Sequence, residues 1–253
     1  LTELLICHVQ KGNNKKNRAG ILKATEVVDL IDNNALCALT IMNMVESAIP
    51  TLGDVMQGMY VLSDVYSKLE YTDLPEGIDW MEHLELLGAI RLSRNIKLNK
   101  FEDFYTRALN GYACVGIRKE SDNYKTAIEL LKSIQIGERG LRDNILLDGY
   151  ARLDVPNKDY IERMILTDKN GIHKIRPDEK DVFIRIWYMY EKDDELQKKV
   201  NKNFMDMWDS FEPLEKIHKW WNSIPMSYDI TQVGKILAHT NAKRCDPSLP
   251  DLL

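Results

Sequence analysis

From Leu214 to Arg244 the sequence prescribes its local structure joint by joint. Leu214-Glu-Lys-Ile-His-Lys-Trp-Trp-Asn-Ser-Ile224 reads as an aromatic-rich helix, and Pro225 stops it. Tyr228-Asp-Ile230 is a short extended piece. Thr231 then caps a second helix running to Lys243 and Arg244, because a threonine hydroxyl can accept from the free N–H groups of a first turn. A chain built this way is committed to helices joined by short breaks.

The same pattern holds upstream. Ile21, Ala24, Val28 and Ile31 recur at spacings of three and four, Asp32-Asn-Asn34 interrupts them, and an apolar helix from Ala35 to Ile49 ends before Pro50. Leu52 to Leu69 forms another stripe. After the turn formers Asp73 to Gly77, Trp80, Leu84 and Leu87 share a face, and Gly88 leads into Ala-Ile-Arg-Leu92 as a short strand. Helical stripes follow at Phe101–Tyr112 and Tyr124–Ile134. Gly140, Gly149 and Pro156 break the next stretch, which reads as a short helix over 141–147 and a loop. Tyr160–Leu166 is a further short helix, and Thr167–Gly171 is a turn. Pro177, followed by acids at 178, 179 and 181, opens a long helix whose first turn suits its dipole. Leu196, Val200, Phe204, Met207 and Phe211 mark a core-facing stripe.

The expected fold is therefore mainly α, a multi-helix domain with a few short strands. Its expected parts are an N-terminal helix and basic linker over 1–20, a helical half over 21–137, and a second half over 158–253 with the C-terminal helix-strand-helix. The boundary between the halves falls in 137–157. Leu1 is not an initiator and Leu4, Leu5 and Ile6 already have helical character, so the reading expects residues before position 1.

With 44% hydrophobic and 29% charged residues the chain is of the ordinary globular class. A net charge of −5 argues against an extensive phosphate-binding surface. No apolar run approaches a membrane span, so no membrane partner is expected. Cys7, Cys37, Cys114 and Cys245 lie far apart without a Cys-x-x-Cys pair, which fits reduced thiols in a cytoplasmic protein.

Two pieces have winged-helix character. His83-Leu-Glu-Leu-Leu-Gly-Ala-Ile90 looks like a reading helix passing into a strand, and Tyr228 to Ala238 looks like a closing strand and helix, with a helical insertion between. Against DNA reading stand Asp79, Glu82 and Glu85, which have the wrong sign for phosphates.

Taken with Leu4-Leu-Ile-Cys-His-Val-Gln, Ala24-Thr-Glu-Val-Val, Leu36-Cys-Ala-Leu-Thr, Trp221-Asn-Ser and Thr231 to Arg244, these residues resemble an uncharacterised family of bacterial helical proteins. The resemblance spans most of the chain in order and rests on apolar and capping patterns. It implies a bacterial cytoplasmic protein of unknown function and transfers no catalytic residue.

Searches for chemistry return negatives. His8, His83, His173, His218 and His239 show no metal-ligand spacing, and no His-Glu-x-x-His, Gly-x-Ser-x-Gly or Gly-x-Gly-x-x-Gly run is present. Gly111 and Gly116 are spaced like a phosphate loop, but Ile117-Arg118 stands where Lys-Ser or Lys-Thr is needed. The acids at 178–181 and 193–195 read better as helix starts than as a cation site. No metal and no cofactor is expected, and catalytic residues stay unassigned.

The reading is a protein acting by protein–protein contact or self-association, in an accessory or phage-defence role. Trp220, Trp221, Lys243 and Arg244 are its candidate interaction residues, and Lys11, Lys15, Lys16 and Arg18 its basic linker. The alternative is a nucleic-acid-binding regulator built on the winged-helix-like pieces, not favoured by the charge. A divergent metal-dependent hydrolase using the acids at 178–181 comes last.

Overall fold

The computed structural model describes residues 15–168 and 171–250. The apolar opening segment Leu1–Val9 and Lys11 lie outside them. The architecture is mainly helical, with short antiparallel strands in small sheets. Contacts divide the chain into two interleaved units rather than at 137–157. Of the described residues, one comprises those up to Ala48, Ser63–Phe101 and those from Glu212 onward; the other comprises Ile49–Leu62 and those within Glu102–Phe211.

The first unit is built around α2 (Asn33–Ser47), in which every residue from Cys37 to Val45 is buried. A helix apolar on all sides has to be enclosed by others. Its neighbours are α4 (Asp79–Leu86) and α10 (Gln232–Cys245), and α10 also packs on α1 (Lys15–Val27). Asn241 of α10 donates to the Thr40 hydroxyl at 2.9 Å, pairing two buried polar side chains. Helix α1 begins at Lys15, so Lys15, Lys16 and Arg18 are helical residues rather than part of a basic linker. The apolar period set by Ile21, Ala24 and Val27, all buried, extends the helix back through them.

Gly88, at φ +73°, turns α4 into β1 (Ile90–Ser93). Strand β1 pairs antiparallel with β7 (Ser227–Ile230), Ile90 opposite Ile230 and Leu92 opposite Tyr228. The two short extended pieces legible in the sequence are thus partners. Thr231 accepts from Gly234 N–H at 3.1 Å as the cap of α10, and its backbone N–H donates to the Ala89 carbonyl at 3.0 Å. Helix α9 (Glu212–Ser223) precedes β7 and sends Leu214, Ile217, Trp220 and Trp221 inward.

Helix α3 (Val55–Leu69) contributes its first half to the second unit and its second half to the first. The second unit adds α5 (Phe101–Ala108) from Glu102 onward, β2 (Ile117–Arg118), α6 (Asp122–Ser133), β3 (Leu141–Asp143), β4 (Tyr150–Leu153), β5 (Ile165–Asp168), β6 (Gly171–Lys174), α7 (Pro177–Tyr188) and α8 (Asp194–Trp208). Its core brings together Ile117, Leu131, Leu153, Val155, Ile161, Leu166, Phe183 and Ile186. Along α8 the fully enclosed residues are Val200, Phe204 and Trp208, so Trp208 takes the core position that the sequence pattern assigned to Met207.

Two local expectations change. Residues 141–147 are not a helix: Leu141–Asp143 pairs with β4, which also pairs with β2, and Asn144 donates to the Cys114 and Val115 carbonyls. Tyr160–Leu166 is likewise not one helix. A 3-10 turn at Asp159–Arg163 gives way to β5, which forms a hairpin with β6. In both places the backbone is satisfied across strands, and three or four residues are too few to show a period of two.

Candidate functional site

A cleft of about 430 Å³ in the second unit combines apolar surface with charged side chains. Clefts of this size, largely apolar with a few convergent polar groups, are the usual form of a binding site. Its apolar lining includes Leu52, Ile136, Met164, Ile165, Leu166 and Phe183, and its polar lining includes Gln57, Arg139, Arg142, Asp54 and Asp154.

The rim is fixed from beneath. Arg152 of β4 is 1% exposed and has no carboxylate partner among the described residues. Its guanidinium donates instead to the carbonyls of Gly111 at 3.2 Å, Leu153 at 3.0 Å and Gly53 at 2.7 Å, and it lies over the Tyr112 ring at 5.4 Å. The Tyr112 hydroxyl donates to the Leu52 carbonyl, and burial pushes that phenol well above its ordinary range. Segment 52–53 is therefore tied to β4 by Arg152 and to the turn after α5 by Tyr112, both buried. A Cβ at Gly53 would overlap Asp154, so only glycine lets these two loop segments approach this closely.

On this rim Arg142 donates to Asp154 at 2.5 Å and approaches Asp54 at 3.4 Å, while Asp54 also accepts from Gln57 N–H at 2.9 Å. Arg139 is exposed and meets no carboxylate among the described residues. Nothing in the sequence singles these residues out: the two acids and two arginines come from separate segments with no shared spacing.

The residues chosen from sequence lie elsewhere. Trp220 and Trp221 are 6% and 3% exposed and cannot serve as a stacking surface. The Trp220 ring meets Trp80 at 5.9 Å and its Nε1 donates to the Pro75 carbonyl; Trp221 faces Phe101 and Tyr228 and donates to the Asn99 carbonyl. Adjacent residues on one helix are both covered because different segments enclose each. Lys243 donates to the carbonyls of Pro247 and Leu249, and Arg244 lies 4.7 Å over the Tyr71 ring with its Nε on Asn241. Both hold the end of α10 in place.

The acids at 178–181 form a helix start. Glu179 is 1% exposed, accepts from Arg176 N–H at 2.8 Å, and sits 3.0 Å from His173 Nε2. Asp193 caps α8 by accepting from the N–H groups of Glu195 and Leu196. Among the described residues no group of three His, Cys, Asp or Glu side chains is arranged to hold a metal ion, and no helix is long and apolar enough to cross a membrane. Comparison with known proteins finds no matching family model, no matching curated protein and no matching solved structure.

Proposed function

We propose that the protein is a binding module that acts by protein–protein contact and not by catalysis. The observation that carries this is the outer face of the β5–β6 hairpin. Register sets Ile165 opposite Lys174 and Thr167 opposite Ile172, so these four share one face, while Leu166 turns into the core. Ile165 is 67% exposed and Ile172 77%. Two isoleucines on one diagonal of a two-stranded sheet are close enough to form a single apolar patch, and a contiguous apolar patch on an open two-stranded sheet is a place for a partner to seat.

A bacterial cytoplasmic setting belongs to the same reading, supported by the family resemblance and by Cys37, Cys114 and Cys245 being free thiols. The pairing of β1 with β7 beside α4 favours the alternative, a winged-helix-like nucleic-acid binder. Its weakness is the charge of α4: Glu85 accepts from Leu92 N–H and pairs with Arg94 at 3.1 Å, and Glu82 lies 3.7 Å from the same arginine. Arg94, just past β1, is thus already engaged by acids of the helix.

A photo-reactive residue at position 172, introduced into the full chain in its native cell, distinguishes the two. The expected result is a discrete protein adduct that disappears with Ile165→Asp and is absent when the probe sits at the exposed Leu86 of α4. No protein adduct, together with duplex DNA retention that weakens steeply with salt, would reverse the order of the readings.

A further inference from the structure

We infer that the cleft beside the hairpin accepts an extended segment of a partner protein, added as a strand to β5 and carrying an acidic side chain for Arg139. The inference deepens the protein-contact reading and rests on it. Three consecutive hairpin residues, Met164, Ile165 and Leu166, line the cleft. Successive side chains of a strand point to opposite faces, so a cleft touching three in a row borders the strand's edge and not one of its faces. Among the described residues β5 pairs only with β6, which leaves that edge open. On an antiparallel strand alternate residues turn their N–H and C=O groups away from the existing partner, and such a row is a template for one more strand.

The opposite wall has matching character. Arg142 belongs to β3, which among the described residues pairs only with β4 and so is also an edge strand. A segment lying in the cleft would run between the open edge of β5 and the side chain of Arg142, over an apolar floor of Leu52, Ile136 and Phe183. Alternate side chains of such a segment would point to that floor and the others to the rim, which calls for apolar residues at every second position.

The charge of the occupant follows from the rim. Asp54 and Asp154 both engage Arg142, and Asp54 holds Gln57 N–H as well. Arg139 is the guanidinium left to an incoming group, and a planar donor fork of that kind best matches a carboxylate. The rim is also preorganised, since Arg152 and Tyr112 hold the Gly53 and Leu52 carbonyls from below. Little ordering of the protein is then required on binding.

The test uses the full chain and a library of random short peptides displayed on phage. Enriched sequences should alternate β-branched or aromatic residues with polar ones and contain Asp or Glu. For a synthetic peptide of the winning sequence, Arg139→Glu should weaken binding about tenfold or more, as loss of a charge-assisted contact implies, while Lys198→Glu on α8 leaves it unchanged. N-methylation of the peptide at alternate residues should abolish binding in one register and spare it in the other, because only one edge of an added strand donates to β5. This last readout requires no protein variant to fold. Proline-rich or basic winners, no enrichment at all, indifference to Arg139→Glu, or equal tolerance of both methylation registers would each overturn the inference. If the adduct at position 172 still forms in any of these cases, the protein-contact reading stands without the strand; if the adduct also fails, both fall.

Discussion

The α-carbon of Gly234 lies so close to the Ala89 carbonyl that a Cβ added there would overlap the oxygen. This contact seats the first turn of α10 on the α4–β1 joint, and Thr231 clasps it by bonding Ala89 through both its N–H and its hydroxyl. Gly→Ala inside a helix ordinarily stabilises by about 1 kcal/mol. Here Gly234→Ala is expected to do the opposite, by roughly 1–3 kcal/mol, because the turn must move off Ala89. Thr231→Ala should cost about 1 kcal/mol for the cap and Thr231→Ser much less. Urea denaturation of the three variants checks both values, and a Gly234→Ala protein more stable than the parent would remove the close-approach argument.

Arg152 fills the interior of the second unit as a charge that meets no carboxylate among the described residues. Its worth lies in the carbonyls it serves, those of Gly53 and Leu153 and that of Gly111, which also accepts from the Cys114 thiol. Arg152→Met keeps much of the volume but takes this donor from the Gly53 and Leu153 carbonyls, and a loss of about 2–6 kcal/mol is expected. Arg152→Lys should rescue little, since one ammonium cannot serve carbonyls on both sides of a guanidinium. Equal denaturation midpoints for parent and Arg152→Met would show that the carbonyls find other donors.

Burial pushes the Cys37 thiol up to about 11 and the Cys114 thiol up to about 12. Both should resist brief alkylation of the native protein at pH 8 and react once it is denatured, as peptide mass spectrometry would read. Because the folded values stand above the ordinary value of 9.0, the two thiols contribute stability that is complete below that pH and is lost as pH rises through about 11 and 12. Rapid labelling of Cys114 in the native state would mean that this core opens far more readily than its packing implies.

What the sequence determined was local. Helix periods, the proline stop after Ile224, the Thr231 cap and the acidic first turn of α7 each depend on residues within a turn or two of one another, so a linear reading contains all the partners involved. Even the extended pieces at Ile90 and Tyr228 were visible as pieces. Tertiary structure alone decided that they pair, that Trp220 and Trp221 are both enclosed, and that the chain divides into interleaved units. It also made strands of Leu141–Asp143 and Ile165–Asp168, whose hydrogen bonds close across partners too short to show a period. The cleft is the extreme case: Arg139, Arg142, Asp54 and Asp154 acquire a common role only when separate segments meet, because the charge balance of a rim depends on distances in space that no spacing along the chain encodes.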